Sequence, residues 1–273
     1  MPKSFAEPEP DPRLLEYLEV GRKAALAGGD VLRSWAGRFA VTEKGPADLV
    51  TEADFASQEA VRTMLMDAFP DHGILGEENG VSTVGKEGYR WIVDPLDGTT
   101  NYVHGLAQYC VSIGLECHGT LLAGIVYDPS ADQCFTAALG HGAFCNGKPL
   151  KVSGVKSLSK ALVAVSFPPG VGRGDASVEA FLNVMDYAQA IRRMGSSALN
   201  LCYVAAGSID GYWAQDTKAW DVAAGYLLVT EAGGTLTSYD GGPADIGRPR
   251  FIAAATPELH RELSGVLHRP AAK

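Results

Sequence analysis

The stretch Trp91-Ile92-Val93-Asp94-Pro95-Leu96-Asp97-Gly98-Thr99-Thr100-Asn101 decides how this chain is read. Three apolar residues lead into two aspartates three positions apart, with Pro95 between them. The apolar run predicts a buried strand that ends at Asp94. Pro95 has no N–H to give a sheet ladder, so the chain is expected to turn there. Gly98 tolerates whatever backbone angles the turn needs. Two carboxylates then converge at a strand end, which suits a divalent cation. Gly98-Thr99-Thr100-Asn101 can open a helix whose free N–H groups face the same spot and favour an anion. A cation site beside an anion site points to metal-assisted phosphate chemistry.

Outward from that stretch, apolar periodicity predicts helices over residues 14–36 and 54–69, the second closed by Pro70-Asp71-His72-Gly73. Ile74-Leu75-Gly76 reads as a short strand running into Glu77-Glu78. Residues 111–116 and 121–127 read as a hairpin, continued by strands over 133–138 and 143–145. The second half alternates. Strands are predicted over 161–167, 191–194, 209–213, 234–238 and 251–254, and helices over 176–188, 197–206, 219–232 and 257–267. The fold class expected is α+β, with helices and sheets in layers. One domain spans 1–273. It has a flexible leader over 1–12, an α+β half over 13–155 that carries most acidic motifs, and an α/β half over 156–273 that supplies Asp221. The turn-rich stretch 148–160 is the candidate internal boundary.

At 273 residues, 46% hydrophobic and 20% charged, the chain has an ordinary globular composition and length enough for a large core. A formal net charge of −9 argues against polymeric nucleic acid as the main partner, because such binders carry a basic face. A phosphorylated small molecule stays compatible, since a bound metal inverts the local field. The five cysteines are odd in number and form no Cys-x-x-Cys pair, so they read as reduced, mostly buried thiols. No apolar stretch approaches a membrane span. The first residues lack the basic and apolar segments of a signal peptide, so a cytoplasmic protein is expected.

Acidic residues abut apolar runs elsewhere: Glu77 and Glu78 after Ile-Leu-Gly, and Asp221 after Ala-Trp. An acid beside a buried run must be paired, hydrated or bound to a metal. Taken alone, each reads as a salt-bridge partner or a helix cap, Asp221 as the cap of the helix that follows it. Taken together, hard oxygen ligands without nearby His or Cys fit Mg²⁺ better than zinc.

Four stretches carry a resemblance: Asp48-Leu49-Val50-Thr51-Glu52-Ala53-Asp54, Gly76-Glu77-Glu78, the block from Asp94 to Asn101, and Trp220-Asp221-Val222-Ala223-Ala224-Gly225. In order and spacing they resemble the inositol monophosphatase family, over about residues 14 to 266. The resemblance implies a layered αβαβα sandwich, a Mg²⁺-dependent, lithium-sensitive phosphatase, and a homodimer. It implies that Glu77, Asp94 and the Leu96 carbonyl hold one Mg²⁺, that Asp94, Asp97 and Asp221 hold a second, and that Glu77 helps place a third. Thr99 would orient the attacking water, with Asp54 accepting the threonine proton. The N–H groups of Gly98 and Thr99 would cradle the phosphate, and Gly195, Ser196 and Asp221 would contact substrate. Glu78 would support the ligands from behind. Lys44 would lie near the phosphate, although its spacing to Asp48 is one residue shorter than the common pattern.

The chain also departs from the family. Where the resemblance places a glutamate that reads inositol hydroxyls, this sequence has Ala214, with Gln215 or Asp216 as replacements if the loop shifts. The implied activity is hydrolysis of a small polyol or sugar phosphate, first among them inositol 1-phosphate, by metal-activated water. Fructose 1,6-bisphosphate, histidinol phosphate and 3′-phosphoadenosine nucleotides are the rival substrates; Arg192, Arg193 and Lys218 are available to a second phosphate. A reading of another class is a moonlighting protein-binding regulator.

Overall fold

The computed structural model describes residues 12–45, 48–80, 82–168 and 170–269. The leader expected over 1–12 lies outside the described residues, except that Pro12 already begins the first helix, α1 (Pro12–Trp35). A hairpin of β1 (Val41–Gly45) and β2 (Asp48–Thr51) follows. Thr51 then caps α2 (Glu52–Ala68). Its hydroxyl accepts from the Ala53 N–H, and the Asp54 carboxylate accepts from the Thr51 N–H. This reciprocal cap starts the helix two residues before the position expected from periodicity.

The next seven strands form one sheet in chain order: β3 (Gly73–Gly76), β4 (Tyr89–Asp97), β5 (Cys110–Cys117), β6 (Thr120–Asp128), β7 (Gln133–Ala138), β8 (Ala143–Cys145) and β9 (Lys148–Pro149). All neighbours are antiparallel except β3, which runs parallel to β4. The short helix α3 (Thr99–Val103) leaves the end of β4. A second sheet holds β10 (Leu162–Ser166), β11 (Ala190–Arg192), β12 (Gly211–Ala214), β13 (Thr235–Ser238) and β14 (Phe251–Ala254), in the order β11-β10-β12-β14-β13. Its β10 pairs are parallel and its β14 pairs antiparallel.

Helices α4 (Ala176–Met185) and α7 (Pro257–Leu267) cover the outer face of the second sheet, while α5 (Ser197–Ala205) and α6 (Ala219–Glu231) lie between the sheets. Three apolar cores glue the five layers. One joins α1 and α2 to the first sheet through Leu32, Trp91 and Val93. The second joins both sheets through α5 and α6, with Leu199, Tyr212 and Leu228. The third lies under α4 and α7, with Val163, Trp213 and Leu263. Trp91 and Trp213 are fully buried, and each such side chain contributes about 2–3 kcal/mol of transfer free energy. The architecture is the α+β, layered αβαβα arrangement expected.

Two elements end two or three residues earlier than predicted. The helix expected over 176–188 stops at Met185, and the strand expected over 191–194 is Ala190–Arg192, so Met194 enters a turn instead. All five cysteines are free, with Cys110, Cys134 and Cys202 buried and the other two half-buried. No described helix is long and apolar enough to cross a membrane.

The approach of α6 to the first sheet is close. A Cβ on Gly124 of β6 would lie 2.7 Å from the Ala224 carbonyl oxygen, a rigid backbone neighbour. Gly124→Ala is therefore expected to push α6 outward and to cost about 1–3 kcal/mol in urea denaturation. An unchanged midpoint would show that α6 can ride up without penalty.

Candidate active site

The two aspartates of the motif share one face of the sheet because of a bulge. Asp94 lies opposite Ser112 and Asp97 opposite Cys110, so three steps on β4 match two on β5. One extra residue is accommodated, and the strand bends. Side chains alternate along a strand. Trp91 and Val93 enter the core beneath α1 and α2, so Asp94 points the other way, toward α6. Without the bulge, Asp97 would point back toward α1 and α2. With it, Leu96 takes that place in the core and Asp97 joins Asp94. This corrects the expected end of the strand at Asp94: β4 continues to Asp97. Pro95 is tolerated because it sits where the ladder is already broken. The parallel neighbour β3 has its last pair at Gly76 and Val93, so no strand on that side needs an N–H from Pro95.

Gly98 then turns the chain into α3 with φ 98°. A side chain there would be strained by the backbone angle and would also meet the Gln108 carbonyl at 2.8 Å. The turn brings Thr99 over the bulge. Its hydroxyl lies 3.0 Å from the Leu96 carbonyl and 3.2 Å from Asp54 Oδ1, as a donor. Asp54 is held from its other oxygen by the Thr51 N–H and hydroxyl, at 2.8 and 2.7 Å. Ser57 and Gln58, which sequence reasoning missed, brace this corner. Ser57 donates to the Pro95 carbonyl, and Gln58 exchanges two hydrogen bonds with the Glu78 backbone. Both are buried polar residues of a helix, a pattern that sequence alone does not separate from ordinary core packing.

Asp97 is anchored by the start of α5. Its Oδ2 accepts from the Ala198 N–H at 2.7 Å and from the Ser196 hydroxyl, and its Oδ1 from the Ser197 N–H. Asp221 is the third residue of α6 rather than its cap, and it accepts from the Lys218 N–H. Lys44 does not lie out toward a free anion site. Its ammonium sits on Glu78 at 2.6 Å and Glu77 at 3.1 Å.

Burial, then the charges of Glu77, Asp97 and Asp221, hold Asp94 well above the usual carboxylate range. Burial and Asp97 do the same to Asp221. Burial raises Asp97 to about 6 against the pull of its hydrogen-bond donors. Glu77 and Asp54 are raised chiefly by burial too. Among the described residues no three His, Cys, Asp or Glu side chains are close enough to enclose an ion as they stand. What Glu77, Asp94, Asp97 and Asp221 share is a strong negative field with hard oxygen donors and no nitrogen or sulfur, and that donor set fits Mg²⁺.

A cavity of about 550 Å³ opens above Glu77, Asp97, Thr99 and Asp221. Its size suits a small molecule. Gly195 lines it, but Ser196 does not. The Ser196 side chain is buried, donates to Asp97 and accepts from the Leu199 N–H as the cap of α5. Its expected substrate contact is thereby corrected to a contact with Asp97. Asn101 ties α3 to the same turn, its amide donating to the Met194 and Gln108 carbonyls at 2.8 Å each. Ala214 is fully buried at the end of β12, and Gln215 is turned away to the Tyr239 hydroxyl. Asp216 faces the cavity, as do Ser166 and Phe167, which no motif marked.

An acidic cluster on a sheet bulge, beside a small-molecule cavity in an αβαβα sandwich, defines a candidate phosphatase. Residues 14–270 match the model of the inositol monophosphatase family. An inositol-1-monophosphatase from Rhizobium meliloti (strain 1021) is 43% identical over 84% of this chain and 86% of its own. The Nus factor SuhB of Pasteurella multocida (strain Pm70) is 39% identical over 90% of this chain and 93% of its own. The crystal structure of extragenic suppressor protein suhB from Bartonella henselae superposes with a TM-score of 0.89 at 38% identity, over 93% of this chain and 99% of that one. This chain belongs to the inositol monophosphatase family and has the fold of its solved relatives.

The raised carboxylates fix a pH dependence. Between its ordinary value near 4 and its folded value of about 6, Asp97 keeps a proton that the unfolded chain has released. Stability from this group is therefore full below that window and is lost as pH rises through 6. In EDTA, the protein is expected to be more stable at about pH 5.5 than at about pH 7.5, with Asp97 contributing roughly 1 kcal/mol. Asp97→Asn should narrow the difference. Parallel melting curves for the two proteins would remove Asp97 as its source.

Proposed function

We propose that the chain acts as one Mg²⁺-dependent phosphomonoesterase domain that hydrolyses a small polyol phosphate, with myo-inositol 1-phosphate as first choice. The observation that carries the reading is the bulge of β4, which turns Asp94 and Asp97 onto one face with Asp221 nearby, while Thr99 contacts Asp54 above them. Glu77, Asp94 and the Leu96 carbonyl would hold one Mg²⁺, Asp94, Asp97 and Asp221 would hold another, and Glu77 would also serve a third. Bound Mg²⁺ supplies a water nucleophile at neutral pH and charge relief on the leaving oxygen. Thr99 donates to Asp54 and would accept a hydrogen bond from the attacking water, and the raised pKa of Asp54 suits it to take the proton. The N–H groups of Gly98 and Thr99 orient the phosphate, and Gly195 and Asp221 border its alcohol. The family resemblance supports a homodimer.

The test is phosphate release from inositol 1-phosphate, fructose 1,6-bisphosphate, histidinol phosphate and 3′-phosphoadenosine 5′-phosphate, with Mg²⁺ and with EDTA. Inositol 1-phosphate is expected to be preferred and EDTA to abolish turnover. Asp97→Asn and Thr99→Ala are expected to lower kcat by about a hundredfold or more, with the fold intact by circular dichroism. Turnover unaffected by EDTA would overturn the metal assignment.

A second reading rests on the relatives named SuhB, one of them a Nus factor. It makes the folded chain a binder of a protein partner. Rescue of a deletion strain by Asp97→Asn would favour it.

A further inference from the structure

Most polar groups facing the cavity are already engaged within the protein. Asn101 donates to two carbonyls, Thr99 to Asp54 and Leu96, and Thr217 to the Pro249 carbonyl. Asp97 and Asp221 accept from helix N–H groups, and Glu77 from Lys44. Two charged side chains on the wall are different. Asp216 and Arg193 are both exposed to the cavity, and among the described residues neither makes a hydrogen bond or ion pair, with each other or with anything else.

Both are nevertheless held in place. Asp216 lies between Gln215, fixed to the Tyr239 hydroxyl at 3.0 Å, and Thr217, fixed to Pro249. A backbone pinned on both sides presents the carboxylate between them. The Arg193 guanidinium lies over the Phe167 ring, 5.6 Å from its centre, which leaves its N–H edge open. Resting places of this kind reduce the entropy lost when a ligand is bound.

From this, and resting on the activity proposed above, we infer that Asp216 and Arg193 are specificity-determining residues that read the hydroxyls of a polyol beyond its single phosphate. A second phosphate would gain from Arg193 and be repelled by Asp216. A hydroxyl both donates and accepts, so adjacent ring hydroxyls satisfy the carboxylate and the guanidinium together. An apolar alcohol would leave both charges desolvated and unpaired, which is costly. Ser166, whose hydroxyl is already in contact with that of Tyr212 at 2.8 Å, extends the same polar wall.

The experiment compares kcat/KM for inositol 1-phosphate with kcat/KM for phenyl phosphate, which has no hydroxyls, in wild type, Asp216→Asn and Arg193→Gln. Wild type is expected to favour inositol 1-phosphate. Each variant is expected to lower that ratio by about tenfold, mainly through KM for the polyol. Asp216→Asn is expected to improve fructose 1,6-bisphosphate relative to inositol 1-phosphate, because the repulsion is gone. An unchanged ratio in both variants, or a wild type that turns over phenyl phosphate as well as the polyol ester, overturns the inference. A wild type that releases phosphate from neither ester overturns the phosphatase reading instead.

Discussion

The burial of Glu77, Asp94, Asp97 and Asp221 side by side is the constraint to which the rest of the structure answers. Loss of water first, and then like charge, disfavours ionisation, and here all four carboxylates are raised. The fold offsets this in part with dipoles and one cation. The first turn of α5 gives Asp97 two backbone N–H groups, Lys218 gives one to Asp221, Leu96 one to Asp94, and Lys44 lies on Glu77. None of these supplies a full countercharge at the centre. A divalent cation would, and so the feature that burdens the metal-free protein is also what suits it to the Mg²⁺ proposed above.

The architecture explains how such a cluster is held. Asp94 and Asp97 belong to the first sheet, Glu77 follows its neighbouring strand, and Asp221 begins a helix packed between the sheets. The spacing between these groups depends on how closely α6 approaches the first sheet, and that approach is set by small residues such as Gly124. Rigid elements carry the acids, while loops after β10, β11 and β12 carry the groups that line the cavity wall. The proposed chemistry and the proposed selectivity thus fall on different parts of the chain.

Much of this was legible in the sequence. The acidic motifs carried the family, and period-2 and period-3.6 patterns placed most strands and helices within a few residues. The misreadings share a physical cause. Pro95 signalled a break in the ladder, but a break is met either by a turn or by a bulge, and the choice depends on where β3 stops, which is tertiary information. Ser196 was expected at the substrate because the family resemblance places a substrate-contacting turn there. In the structure it caps α5 and donates to Asp97. The sequence offers Gln215 and Asp216 alike as replacements for the missing glutamate, and the choice between them depends on Gln215 and Thr217 being pinned, each by a partner distant in sequence.

The middle core has one further consequence, for the chain as it is made. Cys110, Val126, Phe135 and Ala137 of the first sheet are covered by α5 and α6, which come later in the sequence. A nascent chain that has reached only β9 has a finished sheet with one face still bare and water-exposed. Apolar surface of that kind is what holdase chaperones grip and what aggregates nucleate on. Truncation after the first sheet therefore leaves a sticky sheet instead of half an enzyme, and a pause in translation before α6 would be far more hazardous than one after it.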